Sequence, residues 1–460
     1  MRNGYANGLG DPNNHSIVHL TEFNGNLYAS TNNWDNTLNN THGGQILRSS
    51  NGLNWTSVVT QGFGDPTNGE IDRFAVFNNQ ICASTESYTT THGAEIWCSS
   101  TGNSGDWTRA ATNGFGNANN SYVGALETFN GYLYAGTANW NRTTMTTTGS
   151  EVWRTNNGIT WTQVSTSGFG TTDNNFIAAL KSFNGYLYAS PGSLSGNGAQ
   201  VWRCQACDNS DWTKVVDNGF GNVGTHRCST LEVFDGRLYC GVDNDITGME
   251  VWRTTDGTNW NQVGFAGFGD SNNTGPGWYN SVAVFNNRLY IGTLNSANSG
   301  EIWRNDVVET AINPSVGGTL VYTGALSLPT TVITVPADAT TAPITLTYTP
   351  LQIVTPPASL GFAGYAFDLD AYQNGSLLLG VEFSTPVTIT LRYTDADVAG
   401  MSEANLKLYT YSGGAWQDAT CGAYDRHPDQ NWLSAPICHL SRFALMGNVY
   451  KVYLPVVMRN

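Results

Sequence analysis

Residues 129–137 read Phe129-Asn130-Gly131-Tyr132-Leu133-Tyr134-Ala135-Gly136-Thr137. An Asn-Gly pair favours the left-handed backbone of a two-residue hairpin turn, and the Leu-Tyr run behind it reads as a strand. The same string recurs as Phe23-Asn-Gly-Asn-Leu-Tyr28, Phe77-Asn-Asn-Gln-Ile-Cys82, Phe183-Asn-Gly-Tyr-Leu-Tyr188, Phe234-Asp-Gly-Arg-Leu-Tyr239 and Phe285-Asn-Asn-Arg-Leu-Tyr290. Spacings between the six Phe residues run from 51 to 54. Downstream of each comes Gln45-Ile-Leu47, Glu95-Ile-Trp97, Glu151-Val-Trp153, Gln200-Val-Trp202, Glu250-Val-Trp252 or Glu301-Ile-Trp303. A further aromatic follows in five copies (Trp55, Trp107, Trp161, Trp212, Trp260), then Gly-Phe-Gly as at 62–64 and 168–170.

Each unit therefore holds four short strands. Strand A is the apolar run before the Phe, B the Leu-Tyr segment, C the Glu-Val-Trp-Arg segment and D the Trp-Thr-x-Val segment. Four antiparallel strands per unit of roughly 50 residues, repeated six times, predict an all-β six-bladed β-propeller over residues 1–306. The sixth unit stops after Trp303-Arg304, and Gly8-Leu9-Gly10 aligns with the other Gly-Phe-Gly closures. Residues 1–6 are expected to supply the missing strand and close the ring. The C–D turns, Thr255-Asp-Gly-Thr-Asn-Trp260 and Ser50-Asn-Gly-Leu-Asn-Trp55, resemble the Asp-box of sialidase-like secreted propellers, with the Gly placed directly after the Asp or Asn. That turn is structural, so the resemblance implies fold rather than activity.

Only 12% of residues are charged and the formal net charge is -15, which disfavours nucleic acid and anionic membrane as partners. No apolar run is long enough for a transmembrane span. Met1 leads into polar sequence rather than a secretory signal. The eight cysteines nevertheless point to an oxidising compartment, so an extracellular or cell-surface chain, mature or trimmed, is expected. Cys82 and Cys98 replace the Tyr134 and Arg154 of another repeat, which predicts a cross-strand disulfide. Cys421 and Cys438 flank one loop. Cys204, Cys207, Cys228 and Cys240 lie close together with their pairing open: a two-residue hairpin at Asp235-Gly236 puts Cys240 opposite Leu231. Disulfides are the favoured use of that cluster, and a zinc site is the alternative.

The A–B and C–D turns share one rim and are minimal. The B–C and D–A links share the other rim and carry the length variation, which is where a rigid scaffold usually places function. The longest B–C loops run from Asn32 to Gly44, Glu86 to Ala94 and Ala138 to Ser150, and hold Trp34, Asp35, His42, Tyr88, His92, Trp140 and Asn141. Aromatics beside amides and carboxylates suit sugar binding; packing of Trp34 and Trp140 onto their own loops is the plainer alternative. Calcium is left open as a cofactor by the Asp/Asn-rich D–A links at Asp11, Asp65 and Asp270, which serve equally as Asx-turns. No other cofactor or metal is expected. The Glu or Gln before each Val-Trp recurs in every unit and is read as a structural partner. Asp72 beside Arg73, Glu127 and Glu232 are acids that no pattern selects as a pair, and no nucleophile elbow, phosphate loop or zinc-protease motif occurs.

Residues 307–318 read as a linker. Alternating strands such as 344–348, 387–393 and 406–411 then predict a β-sandwich over 319–447. The segments Val335-Pro-Ala-Asp-Ala339, Phe383-Ser-Thr-Pro-Val-Thr-Ile-Thr-Leu391 and Leu406-Lys-Leu-Tyr409 with Trp416 resemble the ZU5-like sandwiches of bacterial surface proteins, which implies an interaction module. The tail at 448–460, with Tyr-Leu-Pro-Val-Val at 453–457, resembles the ending of many secreted proteins of Chloroflexi-type bacteria. Its Tyr450, Val452, Leu454 and Val456 are candidate assembly residues. The leading expectation is a non-catalytic structural or adhesive surface protein that associates with itself into a filament or layer. The alternatives are a carbohydrate-binding propeller whose B–C loops meet surface glycans and, more weakly, a glycoside hydrolase or lyase.

Overall fold

In the computed structural model, Asn130 and Gly131 take φ of 49° and 76°. The pairs Asn24-Gly25, Asn78-Asn79, Asn184-Gly185 and Asp235-Gly236 are left-handed in the same way. This is the turn whose twist matches two antiparallel strands, and it fixes register: Phe129 faces Tyr132 and Leu126 faces Ala135. The chain is all-β, its ladders antiparallel, and it divides into two compact units, 1–303 and 304–460. The structure describes residues 8–450 apart from 37–39, 193–197, 223, 265, 277–280, 286–287, 306, 324–330, 352–353, 355, 358, 374–375 and 413.

In the first unit each of the first five repeats forms a four-stranded antiparallel sheet. Repeat three has strand A at Asn120–Phe129, B at Tyr132–Asn139, C at Val152–Thr155 and D at Thr162–Gln163. The sixth repeat has three strands, Val282–Phe285, Arg288–Gly292 and Ile302–Arg304, among the described residues. The segment 1–6 expected to complete it lies outside them. Gly8-Leu9-Gly10 does take the conformation of the other closures, with Leu9 at φ 58°.

The Gly-Phe-Gly closures join one repeat to the next. A Cβ on Gly62 would meet the carbonyl oxygen of Asn68 at 2.6 Å, so only glycine fits there. The Phe beside it is held left-handed and laid on the strand-C Trp of the following repeat. Phe63 stacks on Trp97 at 4.8 Å, Phe115 on Trp153 at 5.0 Å and Phe220 on Trp252 at 4.7 Å between ring centroids. The indole N–H of Trp153 donates to Glu151 Oε2 at 2.9 Å, and the buried Asn120 amide donates to the same oxygen at 2.8 Å. Glu95, Gln200, Glu250 and Glu301 accept from their own Trp likewise. The repeating acid thus satisfies two donors, one of them buried, that would otherwise cost stability.

Cys82 pairs with Cys98 on facing positions of strands B and C, the places that Tyr134 and Arg154 occupy in repeat three. The other disulfides are Cys204–Cys207, Cys228–Cys240 and Cys421–Cys438. The four-cysteine cluster is therefore two disulfides rather than a zinc site. Cys240 does face Leu231, and a bulge between Cys228 and Thr230 shifts Cys228 into diagonal reach of it.

The second unit has a seven-stranded and a five-stranded sheet. One apolar cluster draws on both: Leu346, Phe367, Leu408 and Phe443 from the larger, Leu320, Ile333, Ile389 and Leu433 from the smaller. Residues 307–318 are not a linker. Val308–Ile312 is an edge strand paired with Ile344–Leu351, because Ile312 is buried in that core and the strand's backbone finds its partners on the ladder. The tail begins on its own unit: Val449 bridges Met401, and the Tyr450 N–H donates to the Gly400 carbonyl at 2.9 Å. Val452, Leu454 and Val456 lie outside the described residues. No helix among the described residues is long and apolar enough to cross a membrane.

Candidate functional site

Strand A opens on Asn14, Asn68, Asn120 and Thr225 in repeats one, two, three and five, and Asn174 holds the matching place two residues before strand A of repeat four. Two residues further on stand Ser16, Glu70, Tyr122, Phe176 and Arg227, and four further on Val18, Asp72, Gly124, Ala178 and Ser229. Register shifts interrupt each of these strands, as between Asn68 and Glu70 and between Ile71 and Phe74 in repeat two. A bulge re-aims side chains that a regular pleat would send to alternate faces. The re-aimed residues of repeats two to five meet the B–C segments around a cavity of about 470 Å³, within the range of small-ligand sites.

One wall is acidic. Glu70, Asp72 and Glu86 each bring a carboxylate oxygen within 4.8 Å of the others. Asn32 donates to Glu70 Oε2 at 2.5 Å and to the Tyr88 hydroxyl at 2.8 Å. Arg142 donates to Glu86 Oε1 at 2.6 Å, and its guanidinium lies 5.4 Å from the Tyr88 ring centre. Asp72 is 0% exposed, and no N–H or hydroxyl donor reaches its carboxylate oxygens, which lie against the Glu70 carboxyl. Burial, then the charges of Glu70 and Glu86, hold the Asp72 carboxyl well above the usual carboxylate range. Burial and the Glu70 charge push Glu86 up to about 7, with Arg142 pulling the other way. Burial also raises the Tyr88 and Tyr122 hydroxyls, which therefore stay neutral donors.

The facing walls are aromatic and basic. Tyr122, Trp140 and Phe176 line the cavity with Arg227. Arg227 lies 5.1 Å from the Phe176 ring centre, donates to Ser229 Oγ at 2.8 Å and pairs with Asp243 at 2.7 Å. Its charge is thus compensated and its plane fixed before any ligand arrives.

Of the loop residues singled out in the sequence, Tyr88 and Trp140 line this cavity. Trp34 stands behind, its ring edge-on to Tyr88 at 5.9 Å. Asp35 and His42 lie 3.6 Å apart. His92 bonds Thr67 at 2.7 Å and pairs with Asp65 at 3.2 Å, and Asn141 accepts the amides of Thr143 and Thr144 at 2.9 Å. These last four shape loops. The D–A link acids cap turns: Asp11, Asp65 and Asp270 each accept a backbone amide two residues ahead. Sequence reasoning missed the weight of Glu70, Asp72 and Glu86. The signal that could have found the first two is that they flank a strand-A position kept apolar in each of the first five repeats (Ile17, Ile71, Val123, Ile177, Cys228) while they themselves differ.

No protein-family model matches the chain, and no curated protein matches it. Among solved structures it is similar to a luciferin-regenerating enzyme (11% identity, TM-score 0.37, covering 63% of this chain and 92% of that one). It is similar to an α-L-arabinanase of Cellvibrio cellulosa complexed with arabinohexaose (13%, TM-score 0.30, 52% and 92%). A third is a GH43 endo-arabinanase of Bacillus licheniformis (12%, TM-score 0.29, 64% and 95%). At these scores the likenesses assign nothing to this chain, whose site is read from its own residues. The expectation of a non-catalytic structural or adhesive protein is corrected all the same. The chain itself sets Glu70 and Glu86, with Asp72 beside them, at a cavity that Tyr122, Trp140 and Phe176 also line.

Proposed function

We propose that this chain is an extracellular carbohydrate-active enzyme that takes a saccharide into the cavity over Glu70 and Glu86. The six repeats then form a six-bladed propeller, the cavity opens on its B–C rim, and the C-terminal unit is a β-sandwich. One observation carries the reading: acids and aromatic rings share one cavity of saccharide size. Rings such as Trp140, Tyr88 and Phe176 offer flat apolar faces for sugar rings, while Asn32, Arg142 and the tyrosine hydroxyls offer donors and acceptors to hydroxyl groups. Carboxylates beside a bound sugar are what cleavage of a glycosidic bond draws on, for proton transfer and for stabilising a cationic transition state. Four disulfides are in keeping with an oxidising, extracellular setting.

The test is release of reducing ends from a polysaccharide panel that includes arabinan and xylan. Wild type should cleave at least one substrate, Glu70→Gln/Glu86→Gln should lose more than about 100-fold in kcat, the scale of a lost acid or base, and Trp140→Ala should raise KM. Wild type that neither cleaves nor retains any glycan of the panel sinks the reading.

A further inference from the structure

The acidic wall raises a question that the saccharide reading does not answer, namely what holds three carboxylates together. Asp72 is the sharpest case. It is fully buried, no N–H or hydroxyl donor reaches its oxygens, and one of them lies within 4.8 Å of carboxylate oxygens of Glu70 and Glu86. Hydrogen bonds use one oxygen on each glutamate: Glu70 Oε2 accepts from Asn32, and Glu86 Oε1 from Arg142. Asn175 lines the same cavity, and its buried Oδ1 accepts no hydrogen bond. Buried acceptors without donors are rare, and a carboxylate in that position is stabilised by a ligand that supplies positive charge.

We propose that Glu70, Asp72 and Glu86 bind a hard divalent cation, calcium by preference, at the floor of the cavity. The donor set is all oxygen, which selects calcium, magnesium or manganese over softer metals. Two ligands on opposite sides of a calcium ion at about 2.4 Å each stand about 4.8 Å apart, so the cluster spans no more than one coordination sphere. Open space on the cavity side leaves room for water or a sugar hydroxyl to complete it. Asp72 anchors the ion from beneath, and Glu70 and Glu86 join through single oxygens. This inference stands without the saccharide reading, because cation binding is measured with no substrate present.

The experiment uses the full chain freed of metal with EDTA. Terbium chloride is added and its luminescence followed while protein aromatics are excited; Tyr88, Tyr122 and Trp140 line the cavity above the carboxylates. Wild type should give a saturable signal of one equivalent, displaced by calcium chloride, and about 10 mM calcium should raise its melting temperature by several degrees, as a ligand held in the millimolar range or tighter does. Asp72→Asn should fold, lose the terbium signal, and melt at a temperature indifferent to calcium. Glu86→Gln, at the cavity surface, should weaken terbium binding at least tenfold and serves if Asp72→Asn does not fold. The proposal is overturned if wild type gives no saturable signal, or if Glu86→Gln binds terbium as wild type does. A wild type that binds terbium but cleaves no glycan would keep the cation site and refute only the enzymatic reading.

Discussion

Phe115 carries two opposed terms that a pair of substitutions can separate. Its half-buried ring stacks on Trp153 at 5.0 Å and meets Trp161 edge-on at 5.1 Å, yet its backbone sits at φ 62°. Removing a fully buried Phe costs about 3–5 kcal/mol, so a half-buried one loses about 2. The two ring pairs add about 1 kcal/mol, so Phe115→Ala should cost about 3 kcal/mol. The left-handed backbone costs an L-residue about 1–2 kcal/mol, which Ala still bears and Gly does not. Phe115→Gly should therefore be more stable than Phe115→Ala by about 1 kcal/mol, the reverse of the order in an ordinary strand or helix. For a unit of this size about 3 kcal/mol corresponds to a fall of about 5 °C in Tm, read by calorimetry or tryptophan fluorescence. Phe115→Ala melting within a degree of wild type would refute the claim that these closures join one repeat to the next. Phe115→Ala melting above Phe115→Gly would refute the backbone term.

Two further predictions concern the same repeat chemistry. Glu151→Gln should be nearly neutral, since Gln200 fills the same role in repeat four, whereas Glu151→Ala strands the Asn120 amide and the Trp153 N–H and should cost about 2–3 kcal/mol by chemical denaturation; equal effects would argue for a charge role instead. Asp256 accepts the amides of Thr258 and Asn259, both at 2.8 Å, and these bonds outweigh desolvation to hold its carboxyl below the usual carboxylate range. A depressed pKa means that its contribution is present above the unfolded value near 4 and is lost as pH falls through the folded value. The Tm of wild type minus that of Asp256→Asn should then shrink as pH is lowered from about 5 to 2, and a difference that stays constant would remove Asp256 from the acid response.

Local chemistry made much of the first unit legible. Asn-Gly turns demand left-handed backbone and so set A–B register, the Cys82–Cys98 bond follows from that register, and the recurring Trp and Glu mark strand C because each repeat solves the same packing problem. Glu70 and Asp72 were visible as residues but not as a site. They occupy strand-A positions where the repeats do not agree, and a bulged strand does not announce which face a side chain takes. The segment 307–318 misled for a related reason. Its turn residues at 313–318 suggest a connection, yet Val308–Ile312 becomes a strand because a sheet edge offers it partners.

What the sequence determined by itself is what neighbours along the chain or one hairpin away can settle: the strands, their turns, the repeat and its all-β character. What only the tertiary structure decided is the meeting of residues from different repeats. Glu70, Asp72 and Glu86 share the A–B hairpin of repeat two, where Glu70 faces Glu86, but Glu70 and Glu86 meet Tyr122, Trp140, Phe176 and Arg227 from three later repeats. No spacing in the chain encodes that proximity. It arises because successive A strands lie side by side, which sets the acids of one hairpin against rings and an arginine from the repeats that follow.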